Sequence, residues 1–69
     1  MTIILNGDRH EVAGTRESIS VSELLEQLSI DARRVAVEHN LVVLRRAAFD
    51  ETVVREGDQI EIVNFVGGG

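Results

Sequence analysis

The sequence predicts an α+β fold, with one main helix laid across one face of a mixed four- to five-stranded sheet. Two observations carry that expectation. The run Ser20-Val21-Ser22-Glu23, followed by leucines at helical spacing, marks one amphipathic helix with its own start signal. Apolar residues alternating at period two, clearest in residues 1–6 and 59–65, mark strands on either side of it in the chain. Sixty-nine residues suggest one domain, and a domain of that size hides only about 60% of the surface its unfolded chain exposes, so modest stability is expected.

In chain order, residues 1–6 place Met1, Ile3 and Leu5 toward one face and Thr2 and Ile4 toward the other. Asn6-Gly7 supplies two residues that tolerate positive φ, a strong hairpin signal, and the strand returns over residues 9–13 with Val12 inward and Arg9 and Glu11 outward. Residues 14–18 read as a loop. The helix runs from about Val21 to Leu28. In its capping box the Ser20 hydroxyl and the Glu23 carboxylate each accept from a backbone N–H that the first turn leaves without a partner. Ile19 and Leu24 occupy staple positions, and Val21, Leu24, Leu25 and Leu28 form one apolar stripe opposite Glu23, Glu26 and Gln27.

After a polar connection over residues 29–34, Val35-Ala36-Val37 reads as a third strand, Glu38-His39-Asn40 as a turn and residues 41–44 as a fourth strand. Residues 45–51 read as a loop or short helical turn that tucks Phe49 or Val54 under the sheet, and Glu56-Gly57-Asp58 reads as a turn. In the last strand Ile60 and Ile62 take one face and Glu61, Val63 and Phe65 the other. The expected core joins Met1, Ile3, Leu5, Val12, Ile60 and Ile62 to the helix stripe. If the last strand lies beside the first, its end projects the final glycines away from the sheet.

Composition narrows the function. There is no cysteine, hence no disulfide, thiolate metal site or nucleophilic thiol. His10 and His39 lie far apart in the chain, which argues against a metal site, and the serines lack a His and acid constellation. Twelve acids against seven arginines, with no lysine, give a net charge of -5, which opposes binding to phosphate backbones. Phe49 and Phe65 are the only aromatics, too few for a base-stacking surface, so nucleic acid is a poor partner and a protein with a basic docking surface a better one. No basic and apolar leader and no run of membrane-spanning length is visible, so a soluble cytoplasmic protein without a membrane partner is expected.

Gly67-Gly68-Gly69 follow the last strand directly. Three glycines lose the most backbone entropy on ordering and offer nothing to pack. They are either slack or an arm that enters a space too narrow for side chains and presents a terminal carboxylate.

The strand of residues 1–6, the helix Ser20-Val21-Ser22-Glu23-Leu24-Leu25-Glu26-Gln27-Leu28, the Val35-Ala36-Val37 strand, the run from Glu56 to Val63 and the terminal glycines occur together and in order. As a set, spanning essentially the whole chain, they resemble the sulfur carrier proteins of the thiamine pathway, the ThiS family. The resemblance implies a ubiquitin-like β-grasp domain over residues 1–66 and a flexible tail over residues 67–69. It also implies a cycle in which the chain is a co-substrate and not an enzyme. An E1-like adenylating enzyme uses ATP and magnesium, neither held by the carrier itself, to convert the Gly69 carboxylate to an acyl adenylate. Sulfur from a donor such as a cysteine desulfurase then gives a thiocarboxylate, and thiazole synthase takes the sulfur. Gly67 and Gly68 map to the segment that threads the partner's active site. The third glycine departs from the usual pair, which puts the part played by Gly67 in question.

Ile4, Val63, Phe65 and Val66 are candidates for a partner-docking patch beside the tail, with burial under residues 45–51 as the competing reading. Arg45 and Arg46 read as solvated, and the scattered acids as a solubility device. Other readings of the whole remain: the same carrier chemistry feeding molybdopterin or thiolated tRNA, a ubiquitin-like protein modifier, or a β-grasp interaction module with an inert tail.

Overall fold

The computed structural model describes residues 1–65. The expected domain boundary after Val66 and the glycine tail lie outside the described residues. Strands β1 (Thr2–Leu5) and β2 (Asp8–Glu11) form the first hairpin. Asn6 and Gly7 both have positive φ, 49° and 85°, the mirror-image turn whose twist matches that of paired strands. A short strand β3 (Ser18–Ser20) leads into helix α1 (Val21–Gln27). Strands β4 (Val35–His39) and β5 (Val42–Leu44) form a second hairpin, followed by β6 (Val53–Arg55) and β7 (Gln59–Asn64). The main sheet has the order β2-β1-β7-β4-β5, with β7 parallel to β1 and antiparallel to β4. A mixed five-stranded sheet and one main helix are therefore what the chain forms, and the last strand does lie beside the first.

The helix is set at both ends by local chemistry. At its start, Glu23 N–H donates to Ser20 Oγ at 3.0 Å and Ser20 N–H donates to Glu23 Oε1 at 3.0 Å, the full reciprocal box. Arg16 adds a paired contact to the Glu23 carboxylate; that contact, then the Ser20 N–H bond, hold its pKa below the ordinary value. At its end Ser29 takes φ 58°, and the N–H groups of Ile30 and Ser29 donate to the carbonyls of Leu25 and Glu26. Those two bonds close a Schellman motif with serine in the place glycine usually fills. Ile19, Val21, Leu24 and Leu25 are buried with Ile3, Val12, Val35, Val37, Phe49, Val54 and Ile60, and Met1, Leu5, Leu28 and Ile62 pack against them.

Three expectations are corrected. Residues 18–20 and 53–55 are strands, paired antiparallel as a separate two-stranded sheet through Ser18↔Arg55, Ile19↔Val54 and Ser20↔Val53. Each run has three residues, too few to show a period. Their pairing delivers the Ser20 cap to the helix and buries Ile19 and Val54 together. His39 belongs to β4, opposite Val42, so residues 38–40 are not the turn. The turn is Asn40-Leu41, with φ 48° and 71°, and Leu41 is not in the strand. The short helical turn expected within residues 45–51 is found: residues 46–48 form a single 3-10 turn that buries Phe49, and Val54 is buried as well.

Leu41 is a branched side chain in a left-handed turn position and 79% exposed. A left-handed residue with a Cβ costs about 1–2 kcal/mol, while glycine gives back part of that gain through unfolded-state entropy. Leu41→Gly is expected to stabilise the protein by about 0.5–1 kcal/mol. A higher urea midpoint with unchanged slope checks this.

The second hairpin is tied to the β6–β7 turn by side chains. Asp58 accepts from the Arg55 N–H at 2.9 Å, contacts His39 Nε2 at 2.8 Å and accepts from Asn40 Nδ2 at 3.3 Å, while Asn40 Oδ1 accepts from the Gln59 N–H at 2.8 Å. Burial acts to raise the Asp58 pKa, but the hydrogen bond to His39, then those from Arg55 and Asn40, hold it below its ordinary 3.8. A carboxyl lowered by folding stabilises the fold above its unfolded value and loses that contribution as pH falls through the folded value. Asp58→Ala should cost about 2 kcal/mol at pH 7, because three donors lose their acceptor. The gap between variant and wild type in denaturant melts should narrow below about pH 4.

Candidate functional site

Strand β7 is the backbone on which the candidate site is built, and it is held along its whole length. On one side β4 pairs with it at Val35↔Asn64, Ala36↔Val63, Val37↔Ile62, Glu38↔Glu61 and His39↔Ile60. On the other, β1 pairs at Ile4↔Gln59 and Leu5↔Ile60. Where β1 has ended, the Asn6 side chain takes its place and accepts from the Ile62 N–H at 2.7 Å. One step past the strand, the Phe65 N–H donates to the Arg34 carbonyl at 2.9 Å. The chain is thus clamped up to Phe65, two residues before the first of the closing glycines in the sequence.

Alternation along β7 divides its side chains as the sequence implies. Ile60 is buried and Ile62 packs against the core, whereas Val63 is 60% and Phe65 56% exposed. The 45–51 segment does not cover Val63 and Phe65; it sends Phe49 into the core instead. Ile4 shares their face but lies opposite Gln59, four residues short of Val63, which is about 13 Å along a strand. The expected grouping of Ile4 with Val63 is therefore loose. Ala36, directly opposite Val63, is the apolar neighbour that sequence reading missed. Pairing alone reveals it, because Ala36 sits in a strand with no distinguishing pattern of its own. Val66, Gly67, Gly68 and Gly69 lie outside the described residues.

The ground beside this exit is cationic. Asp31 caps the 3-10 turn Ala32–Arg34 by accepting from the Arg33 N–H, and its carboxylate meets the Arg33 guanidinium at 3.0 Å and that of Arg34 at 3.6 Å. The Arg33 side-chain hydrogen bonds, then the Arg33 amide, bring the Asp31 pKa down to about 2, and the same pairing raises that of Arg33. Arg45 and Arg46, exposed, follow β5 directly and in register approach the same end of β4. Among the described residues no group of three or more His, Cys, Asp or Glu side chains is placed to hold a metal ion.

Comparison with known proteins bears on what this arrangement is. A model of the ThiS family matches residues 3–69. The chain belongs to the ThiS family. Its fold superposes on the crystal structure of a thiamine biosynthesis protein, ThiS, of Geobacter metallireducens with a TM-score of 0.86 and 46% identity, covering 100% of both chains. The sulfur carrier protein ThiS of Bacillus subtilis is 32% identical over 94% of this chain and 96% of its own length. A thiazole synthase of Paramagnetospirillum magneticum is 38% identical over the whole of this chain, which spans only 20% of that protein. The β-grasp fold expected of a ThiS family member is the fold found. No helix among the described residues is long and apolar enough to cross a membrane.

Proposed function

We propose that this ThiS family protein is a sulfur carrier for thiazole formation in thiamine biosynthesis, a co-substrate and not an enzyme, with the Gly69 carbonyl as the cargo site. The single observation that supports this most is the junction itself: a central strand hydrogen-bonded up to Phe65 and followed after Val66 by Gly67-Gly68-Gly69. A rigid root fixes where the arm starts, and the lack of side chains suits a narrow channel.

The chemistry asks little of the carrier. A carboxylate resists nucleophiles because it is anionic, and its attack on the α-phosphorus of ATP expels pyrophosphate and leaves an acyl adenylate. Sulfide-level sulfur from a donor, such as a cysteine desulfurase with a reductant, then attacks the carbonyl carbon. The bond to the phosphate oxygen breaks, AMP leaves, and a thiocarboxylate remains. ATP and magnesium act in the adenylating partner, and a thiazole synthase is the acceptor. The match of the whole chain to one-fifth of a thiazole synthase supports that pairing in particular. Val63 and Phe65, with Ala36 between the arginine-bearing segments, form the docking patch at the root of the tail, and Ile4 marks its far edge; Val66, also expected in it, lies outside the described residues.

The test is intact mass after incubation with the adenylating partner, ATP and a sulfur donor. Replacement of one oxygen by sulfur, confined to the C-terminal residue, is expected. Deleting Gly69 should abolish it without changing the thermal midpoint, and retention of sulfur loading by that variant would remove the assignment. An isopeptide-linked adduct in place of sulfur would point to a protein modifier.

A further inference from the structure

Four of the seven arginines frame the point where the tail leaves the fold. Arg33 and Arg34 are 76% and 82% exposed on the segment whose Arg34 carbonyl holds the Phe65 N–H. Arg45 lies one step beyond the Leu44↔Val37 pair, which brings it opposite Ala36, the residue whose other neighbour is Val63. Arg46 follows. Only Asp31 opposes these four within the two segments, so this collar carries +3, whereas the remaining three arginines and eleven acids carry -8. Within these two segments an acidic protein reverses its sign, while Glu38 and Glu61, paired on the same face two residues further from the exit, keep the acidic sign of the rest. Asp31 pairs with Arg33 and Arg34, but neither Arg45 nor Arg46 is in an ion pair among the described residues, so contacts within the fold account for only half of the collar.

Resting on the carrier reading above, we infer that this arginine collar docks against an acidic rim at the mouth of the adenylating enzyme's channel and turns the carrier tail-first. Gly69 is four residues beyond Phe65, at most about 14 Å of extended chain. With the carboxylate at the nucleotide, the guanidinium groups therefore stand near the entrance and not at the reacting phosphorus. Net charge alone cannot orient the encounter correctly. A basic entrance would draw the acidic body and turn the collar away, while an acidic one attracts the collar and repels the rest. Complementarity of this kind acts on association rate and specificity and fades with salt.

The experiment is ATP–pyrophosphate exchange by the chain's own adenylating enzyme, measured against carrier concentration at low and high ionic strength. For the fourfold variant Arg33→Gln, Arg34→Gln, Arg45→Gln, Arg46→Gln, KM at low salt is expected to rise about tenfold, kcat to stay within about twofold, and the salt dependence of KM to flatten. The fourfold arginine-to-lysine variant, which keeps the charge, should stay within about threefold of wild type. Neutralising Glu17 and Glu26, exposed acids outside the collar, should leave the salt dependence in place. An unchanged KM and salt slope in the glutamine variant, or a lysine variant as impaired as the glutamine one, overturns the collar while exchange by the wild type still upholds carriage. No exchange with the wild type at all instead overturns the carrier reading, and the collar with it.

Discussion

Leu24→Ala is expected to lower the unfolding free energy by about 3–5 kcal/mol, the range for a leucine whose surroundings close only in part over the cavity. Leu24 is fully buried in the middle of α1 and belongs to the same cluster as Ile3, Val37 and Ile60 of the main sheet and Val54 of the small one. A chain of this length has about 3–10 kcal/mol of stability in total, at about 0.05–0.15 kcal/mol per residue. With no disulfide to limit the unfolded state, the variant should sit near or past its midpoint at 37 °C. Circular dichroism melts and urea titration measure this directly. A loss below about 1 kcal/mol would show that the helix is not seated on the sheet as described.

Phe65→Asp should do the opposite: little to stability and much to function. The side chain is more than half exposed, and the bond from its N–H to the Arg34 carbonyl does not depend on the side chain. The melting midpoint should therefore stay within the range of neutral surface changes. If Val63 and Phe65 form the docking patch, the aspartate removes the aromatic anchor and places a charge in a desolvated contact. Loss of a central anchor costs about 2 kcal/mol or more, which is roughly a 30-fold fall in kcat/KM for adenylation. The loss should lie mainly in KM, since the reacting carboxylate is untouched. Unchanged kinetics with an intact fold would remove the docking assignment and leave the tail chemistry standing.

The parts of the fold that were legible in advance are those whose signal is local. The Ser20–Glu23 box, the Asn6-Gly7 turn and the leucine stripe are each complete within a few residues, and each appears as expected. The misread parts depend on a distant partner. Ser18–Ser20 becomes a strand because Val53–Arg55 is beside it, and the second hairpin turns at Asn40-Leu41 although a bulky residue is poorly suited there. There the Asn40 side chain is fixed by Gln59 and Asp58, almost twenty residues away, and that register overrides the preference of Leu41. The candidate site divides in the same way. Outward placement of Val63 and Phe65 follows from strand alternation, but Ala36 and the arginine collar exist only once β4 lies beside β7.

By itself, then, the sequence determined the α+β class, the helix with its start, the inward and outward sides of the last strand, and the glycines that follow it. Those features depend on φ preferences, capping spacing and period two, all of which act within a turn or two of the chain. Tertiary structure decided which strands are neighbours, that Val63 and Phe65 stay uncovered, and that two arginine pairs from separate segments flank the root of the tail. Pairing register and charge proximity are distances in space, and no local preference encodes them.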